Sequence, residues 1–342
     1  MKKINILFTC AGRRNYLINY FKEALKGEGN VIAVDEQTIA PAMYDADIAI
    51  KVPSIYADNY IDELLKIVTD HSITAVISLN DLELPILSKS KELFKNQGAQ
   101  VIISNAEVID TCFDKWKTYN LLRELGLNTP KTYIKLDEAI EDIEKGVLEF
   151  PIVLKPRWGS GSIGLDFPES TEELKLTYLR QKLVLKKSQL NRVNNVDPVF
   201  DILIQEKLKG NEFGMDVIND FKGNYFGTFS KQKLAMRSGE TDKAKSIIDK
   251  RFEKLGKKIS DNLNHVGIID CDVFVNDDQL YLLEINPRFG GGYPFTHEAG
   301  LNLAAMYIAW LKGADNESLV KYNNYKENLI FSKCDRLMQM SN

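Results

Sequence analysis

The run Ile269-Asp270-Cys271-Asp272-Val273-Phe274-Val275, a polar turn at 276–279, and then Leu280-Tyr281-Leu282-Leu283-Glu284-Ile285-Asn286-Pro287-Arg288 decide how this chain is read. Two strand-like segments joined by a short polar turn make a β-hairpin. Side chains two apart on a strand share a face, so Glu284 and Asn286 point the same way with Leu280 and Leu282 behind them, and Tyr281, Leu283 and Ile285 take the other face. A carboxylate and an amide oxygen projecting together beside cationic Arg288 suit Mg²⁺ bridging phosphates, because Mg²⁺ wants hard oxygen ligands and takes few of them from protein. An amphipathic hairpin with a solvated face and a proline stop is the competing reading. Register separates two geometries. A two-residue turn pairing Asn276 with Gln279 puts Asp272 opposite Leu283, away from Glu284. A three-residue turn, Asp277-Asp278-Gln279, pairs Asn276 with Leu280 and brings Asp272 opposite Glu284, since a one-residue shift swaps the faces. The expectation is a three-residue loop or an equivalent bulge at 277–279, with Asp272, Glu284 and Asn286 on one face turned toward Lys155.

Upstream, Pro151-Ile152-Val153-Leu154-Lys155-Pro156-Arg157-Trp158, followed by Gly159-Ser160-Gly161-Ser162-Ile163-Gly164, reads as a strand that ends in a lysine and opens into a small loop. Glycines let backbone approach phosphate oxygens, serines add hydroxyl donors, and a lysine supplies a point charge. A dinucleotide fold would add an acid about 20 residues later to hold a ribose, and 179–185 holds none. A Walker loop would end in Gly-Lys-Ser/Thr, where this chain has Gly164-Leu165-Asp166, and a protein kinase carries its lysine after the loop. A Gly/Ser hairpin loop beside a surface lysine is the plain alternative for this segment alone. Finding the carboxylate hairpin in the same chain favours a phosphate site.

With 342 residues, the chain exceeds one ordinary core of about 100–200 residues, so two or three lobes are expected. Hydrophobic residues at 44% and charged residues at 27% exclude general disorder. No run is apolar for the roughly 18 residues a membrane helix needs, and 1–8 reads as a strand rather than a signal peptide, so a cytoplasmic protein with no membrane partner is expected. A net charge of −4 offers no basic field for nucleic acid, and the local stretch Lys182, Lys186, Lys187 and Arg192 reads as a solvated helix face. Cys10, Cys112, Cys271 and Cys334 form no Cys-x-x-Cys pair, and His71, His265 and His297 are dispersed, so any metal must rest on oxygen ligands.

Up to about Ser104, strand-like runs at 4–9, 31–35, 75–78 and 101–104 alternate with helical patterns from about Asn15, from about Asn59 and near 81–96, which implies a parallel sheet with crossover helices. The turn Cys10-Ala11-Gly12-Arg13-Arg14 sits where the first strand meets the first helix, as either a plain tight turn or an anion site. A new lobe begins with the segment 105–113 and a helix at 114–125 closed by Gly126 and Pro130. Strand-like runs recur at 131–135, 152–155, 202–205 and 213–218, with helical patterns at 137–145 and 171–191. The polar segment 189–197 reads as a mobile connection.

In this order the pieces resemble the ATP-grasp superfamily, in its branch similar to the synthetase half of carbamoyl phosphate synthase large subunits. The resemblance is carried by Asp114-Lys115 opening a helix that ends in Leu125-Gly126, Leu154-Lys155-Pro156 with its glycine loop, Gln205-Glu206-Lys207-Leu208-Lys209-Gly210-Asn211-Glu212, and Glu284-Ile285-Asn286-Pro287-Arg288. It implies a mixed α/β and α+β fold: an N-terminal parallel-sheet pre-ATP-grasp domain at 1–108, then a two-lobed ATP-grasp fold at 109–342. The lid lobe would span about 130–205 and the metal-bearing catalytic lobe about 206–325. Lys115 and Lys155 would contact nucleotide phosphates, with Gly159, Ser160, Gly161, Ser162 and Gly164 in the covering loop. Glu206, Lys207 and Leu208 would lie along adenine, and Glu212 on the ribose. Asp272 and Glu284 match the metal-binding acids, Asn286 the amide ligand, and Arg288, with Lys155, the cations facing the transferring phosphoryl. Related proteins often carry Gln or Glu where this chain has the shorter Asp272.

The implied cofactors are ATP and Mg²⁺, with Mn²⁺ as an allowed substitute. The implied partners are a small-molecule carboxylate and an amine or other nucleophile, with a homodimer allowed. The expected reaction is attack of the carboxylate on the γ-phosphorus to give an acyl phosphate, which the nucleophile then takes, releasing ADP and phosphate. For the substrate, Gly291 and Gly292 are either oxyanion donors or a hinge, and Arg237 is either a bidentate clamp for a carboxylate or a surface residue. The alternatives are phosphorylation of bicarbonate or carbamate, and a nucleotide-binding subunit without turnover.

Overall fold

The structure, a computed structural model, describes residues 3–159, 163–188 and 190–339. Ser160, Gly161 and Ser162 of the expected phosphate loop, and Gln189 of the expected mobile connection, therefore lie outside the described residues.

The N-terminal region alternates β1 (Asn5–Thr9), α1 (Asn15–Leu25), β2 (Val31–Asp35), α2 (Pro41–Asp45), β3 (Ile48–Lys51), α3 (Tyr60–Asp70), β4 (Ile73–Ser78), α4 (Leu84–Asn96) and β5 (Gln100–Val101). The strands form one parallel sheet in the order β3-β2-β1-β4-β5. Its central strands are apolar without alternation because both faces are covered. Ile6, Phe8, Val31 and Ala33 pack under α1, and Leu7, Ile32, Val34 and Val76 pack on the side of α3 and α4. Parallel pairing sends every chain reversal back across a face, so Cys10, Asp35 and Asn80 come together at the carboxyl ends of β1, β2 and β4. At the turn after β1, the Gly12 N–H donates to Asp35 Oδ2 at 2.9 Å.

Next come α5 (Ala106–Phe113) and α6 (Lys115–Glu124). Asn105 caps the first by accepting from the Val108 N–H, and Asp114 caps the second by accepting from the N–H groups of Trp116 and Lys117. That cap sets Lys115 at the head of α6. A small antiparallel sheet, ordered β6-β8-β7, follows from β6 (Thr132–Tyr133), β7 (Ile152–Pro156) and β8 (Ile202–Glu206). It packs with α7 (Leu136–Glu144) and α8 (Thr171–Lys187) through Leu154, Ile204, Leu174 and Leu185. The helix expected over 171–191 breaks at Ser188, whose backbone is extended, and α9 (Asn191–Asn194) is a separate turn.

The largest sheet has the order β13-β12-β9-β10-β11-β14 and is built from β9 (Asn211–Asn219), β10 (Tyr225–Arg237), β11 (Glu240–Ile247), β12 (Ile268–Asn276), β13 (Gln279–Asn286) and β14 (Ile330–Ser332). α10 (Lys250–Leu263) covers one face, with Phe252, Leu255 and Ile259 against Met215, Val217 and Leu282. Charged side chains occupy the other face. α11 (Tyr293–Glu298) and α12 (Leu303–Leu311) then join this sheet to the N-terminal region, sharing one core in which Phe21 meets Phe289 and Tyr307 edge-on. No helix among the described residues is long and apolar enough to cross a membrane.

The carboxylate hairpin reaches the expected register by a different route. Its turn has two residues, not three: Asn276 pairs with Gln279, and Asp277 and Asp278 take φ of 46° and 62°, the left-handed pair that a type I′ turn demands. The compensating bulge lies not at 277–279 but farther down, where Val273 pairs with Leu282 and Asp272 with Glu284, leaving Leu283 as the extra residue. Leu280 and Leu282 therefore do not stand behind Glu284. They face α10 together with Ile285, and only past Leu283 does the alternation bring Glu284 and Asn286 to the charged face.

Candidate active site

Two cavities open on the charged face of the large sheet and share Asp272 and Glu284. The larger, of about 510 Å³, lies between the small sheet and β12–β13. Val153, Leu208, Phe274 and Leu283 give it apolar walls, and Lys115 and Lys155 stand among its polar ones. The smaller, of about 320 Å³, is mainly polar and reaches the N-terminal sheet, where Arg14, Asn80 and Asp81 line it together with Lys231, Asp270 and Arg288.

Around the shared acids every cation has a defined seat. Lys155 ends β7 nearly buried, donates to Gln205 Oε1 at 2.8 Å, and Gln205 in turn donates to Thr132 Oγ1 at 2.7 Å. Burial pushes the Lys155 ammonium down to about 8, with Glu284 opposing the push and Lys115 adding to it. Lys115 donates to the Gly159 carbonyl at 2.5 Å and lies 3.9 Å from Glu284. Lys233 bridges Glu212 and Asp272 at 2.6 Å each. Burial lifts Asp272 to about 6 against the pull of Lys233, and the opposed Glu284 carboxylate adds to the rise. Glu284 is held below the usual carboxylate range: burial would raise it, but Lys115 and Lys155 outweigh that.

Arg288 leaves the hairpin toward the N-terminal region, where its Nη2 donates to Asp81 Oδ2 at 2.7 Å and its Nη1 lies 3.7 Å from Asp270. Beneath the smaller cavity, Lys231 donates to Asp216 Oδ2 at 2.7 Å, and Thr296 donates to the same oxygen at 2.5 Å. The glycines at 290–292 serve close approach. A Cβ at Gly290 would sit 2.1 Å from the Asp270 carboxyl carbon, and one at Gly292 would sit 2.7 Å from Lys231 Cε.

Of the residues expected from sequence, Lys115, Lys155, Gly159, Glu206, Lys207, Leu208 and Glu212 line the larger cavity. Asn286, Arg288, Gly291 and Gly292 line the smaller one, and Asp272 and Glu284 line both. Gly164 does not line either: its carbonyl accepts from Gln181 at 2.7 Å, and with φ of 75° it packs on Pro156. Arg237 is no carboxylate clamp in this arrangement. Its fork is filled by Asp335 at 2.8 and 3.1 Å and its Nε by Asp242 at 3.0 Å, outside both cavities. Asp81 was not singled out from sequence, and Lys231 and Lys233, in the same segment as Arg237, and Asp270 and Gln205, inside the quoted motifs, were given no role of their own. For Asp270 the signal was present, in its i, i+2 spacing to Asp272 on one strand.

The donor chemistry suits a hard divalent cation. Asp272 and Glu284 are directly opposed, and Asn286 Nδ2 approaches Glu284 Oε1 at 3.3 Å. Among the described residues no cluster of three or more His, Cys, Asp and Glu could hold a metal alone. Phosphate oxygens would have to complete the shell, as is usual for Mg²⁺.

A family model of the ATP-grasp domain matches residues 112–292, and one of the PylC-like N-terminal domain matches residues 6–102. The carbamoyl phosphate synthase large chain of Campylobacter jejuni is 27% identical over 243 residues, 67% of this chain and 21% of that protein. Its Helicobacter pylori counterpart is 28% identical over 259 residues, 72% and 23% respectively. The chain thus spans less than a quarter of the length of these curated relatives. Among solved structures, a biotin carboxylase–βγ-ATP complex from Campylobacter jejuni aligns over 95% of this chain and 74% of that one, with a TM-score of 0.73 and 16% identity. An L-amino acid ligase from Bacillus licheniformis aligns over 91% and 75%, with a TM-score of 0.67 and 18% identity. At such identities the likeness is one of fold.

Proposed function

This chain belongs to the ATP-grasp family, and from that premise we propose that it uses ATP to activate a small carboxylate as an acyl phosphate and joins it to an amine or another nucleophile. The observation that carries the reading is the sharing of Asp272 and Glu284 between an apolar-walled cavity of nucleotide size and an adjoining polar cavity. ATP would lie in the larger with its phosphates toward Lys115 and Lys155, and the carboxylate in the smaller. We place the division between the two units near residue 108, with a lid lobe at about 130–205 and a catalytic lobe at about 206–325.

Mg²⁺ held by Asp272, Glu284 and Asn286 together with phosphate oxygens would neutralise phosphate charge. Lys155, fixed by Gln205, and Lys115, fixed by the Gly159 carbonyl, hold their charges at set points without reorganising when the reaction begins. A carboxylate oxygen forms a bond to the γ-phosphorus while the bond from that phosphorus to the β–γ bridging oxygen breaks, and ADP leaves with the electron pair. Arg288, clamped between Asp81 and Asp270, keeps a positive charge in the wall of the smaller cavity facing the group in transfer. The nucleophile then attacks the acyl carbon and phosphate departs.

The similarity to carbamoyl phosphate synthase large chains supports a second reading, phosphorylation of bicarbonate or carbamate. Incubation with ATP, Mg²⁺, hydroxylamine and pools of carboxylic acids separates the two. The first reading requires a hydroxamate in one pool. ADP release driven by bicarbonate and ammonia alone, with no hydroxamate anywhere, favours the second.

A further inference from the structure

Helix α8 is apolar on two opposite sides. Leu174 and Leu185 lie in the core of the small-sheet lobe with Leu154 and Ile204. Leu176, Leu179 and Leu183 point the other way and are 70%, 63% and 61% exposed. Single exposed leucines are ordinary. Three at spacings of three and four make a continuous stripe, and a second apolar face on a helix that already has its core marks a contact surface. Glu172 and Lys186 continue the same alternation of four and three at either end, the seam along which one helix pairs with another. The side chains of Glu172, Lys186 and Lys187 have no ion pair or hydrogen bond to the described residues, and the Glu173 carboxylate accepts only the Glu169 N–H, at 2.8 Å. On β7, Val153 and Lys155 line the larger cavity while Leu154 turns to α8, so the stripe lies on the far side of the small sheet from that cavity.

We propose that this face joins two copies of the chain, α8 against α8, antiparallel about a two-fold axis beside Leu179. The charges of the helix select the occupant. Its first turn carries Glu172 and Glu173 and its last turn Lys186 and Lys187. Turned end for end, Leu176 of one copy meets Leu183 of the other, the two Leu179 side chains meet near the axis, and Glu172 and Glu173 meet Lys187 and Lys186. Every contact is made twice, as a two-fold interface requires. Parallel pairing would set acids on acids and bases on bases, and an anionic lipid surface would leave both acids against lipid phosphates. Three leucines a side fall short of the roughly 1,200–2,000 Å² of a standard stable interface, so the dimer is weak, with a dissociation constant of about 10–100 µM. The pairing ties the two small-sheet lobes together and leaves both cavities open. It goes beyond the acyl-phosphate reading and stands without it.

Analytical ultracentrifugation of the full chain from about 1 to 300 µM tests this. The wild type passes from monomer toward dimer across that range. Leu179→Glu, which sets two carboxylates together at the axis, raises the dissociation constant about tenfold or more, and Leu176→Gln with Leu183→Gln does the same without adding charge. Glu172→Gln with Glu173→Gln weakens the dimer about threefold or more at low salt and little at high salt, because exposed ion pairs are screened. All these positions are exposed, and thermal melts establish that the variants fold. A wild type that stays monomeric throughout, or a dimer indifferent to Leu179→Glu, overturns the proposal. A dimer strengthened by neutralising Glu172 and Glu173 overturns the antiparallel arrangement. Vesicles of phosphatidylcholine with phosphatidylserine supply the other arm: a wild type that stays monomeric in solution but sediments with them, and loses this in Leu179→Glu, assigns the stripe to a lipid surface and overturns the pairing of copies.

Discussion

Asp272 lies directly across the β12–β13 pair from Glu284 because Leu283 is an extra residue in β13. A two-residue turn without that bulge would have put Asp272 against Leu283. The bulge thus lets one hairpin satisfy two demands: leucines packed on α10 near its tip and metal-type acids opposed on the other face nearer its base. The turn itself offers a test. Both Asp277 and Asp278 sit at positive φ, which side chains with a Cβ adopt at a cost. The double substitution Asp277→Asn with Asp278→Gly should stabilise the chain by roughly 1 kcal/mol, read as a higher urea midpoint. A lower midpoint would count against this turn geometry.

Lys155 and Glu284 should separate binding from turnover. Lys155→Met removes the buried ammonium beside Gln205 and should weaken ATP binding by ~10-fold or more, measured by calorimetry. Glu284→Gln should bind ATP yet lose Mg²⁺-dependent ADP formation. Undiminished turnover in Glu284→Gln would remove the metal assignment.

The grip of Asp81 on Arg288 joins the N-terminal sheet to the hairpin exit. Asp81→Asn removes the near carboxylate and leaves the guanidinium with the Phe289 carbonyl at 3.2 Å and the more distant Asp270. We expect kcat to fall ~10-fold or more while the dissociation constant for ATP changes by less than about threefold, with Asp81→Glu partly restoring kcat. Weaker ATP binding with kcat untouched would instead put Arg288 on the bound nucleotide.

How legible these relationships were depended on sequence distance. The cap at Asp114, the lysine-ended strand at Lys155 and the alternation of Asp270 with Asp272 are local patterns, and the sequence carried them. In Leu280-Tyr281-Leu282-Leu283, nothing marks which leucine is the extra one; α10 decides that, by taking Leu280, Leu282 and Ile285 into its core. Lys231 and Lys233 carried no assigned role because their partners Asp216 and Asp272 stand 15 and 39 residues away, brought near by the order β12-β9-β10. Asp81 is 207 residues from Arg288, and Arg237 is 98 from the Asp335 that occupies it. Such pairings follow from sheet order and packing between units, which local periodicity does not encode.

Folding stability should fall in acid through His265. Buried between β9 and the end of α10, this ring donates from Nε2 to the Val217 carbonyl at 3.2 Å, and burial lowers its pKa to about 4. The unfolded chain takes up the proton below its ordinary value near 6.5, but the folded chain does so only near 4. The contribution is therefore fully present above pH 6.5 and is lost as pH falls toward 4, amounting to on the order of 3 kcal/mol. Urea melts of wild type and His265→Gln between pH 7 and 4.5 should show a steeper loss in the wild type. Parallel pH dependences would contradict the buried neutral ring.

Oxygen transfer from the acid to phosphate reports directly on whether an acyl phosphate forms. With pools of carboxylic acids labelled with ¹⁸O in the carboxylate, plus ATP, Mg²⁺ and an amine acceptor, the inorganic phosphate released should carry one ¹⁸O atom from the acid that reacts, in proportion to the ADP formed. Phosphate released with ADP in the presence of the labelled acids but free of their label would contradict carboxylate activation by this site.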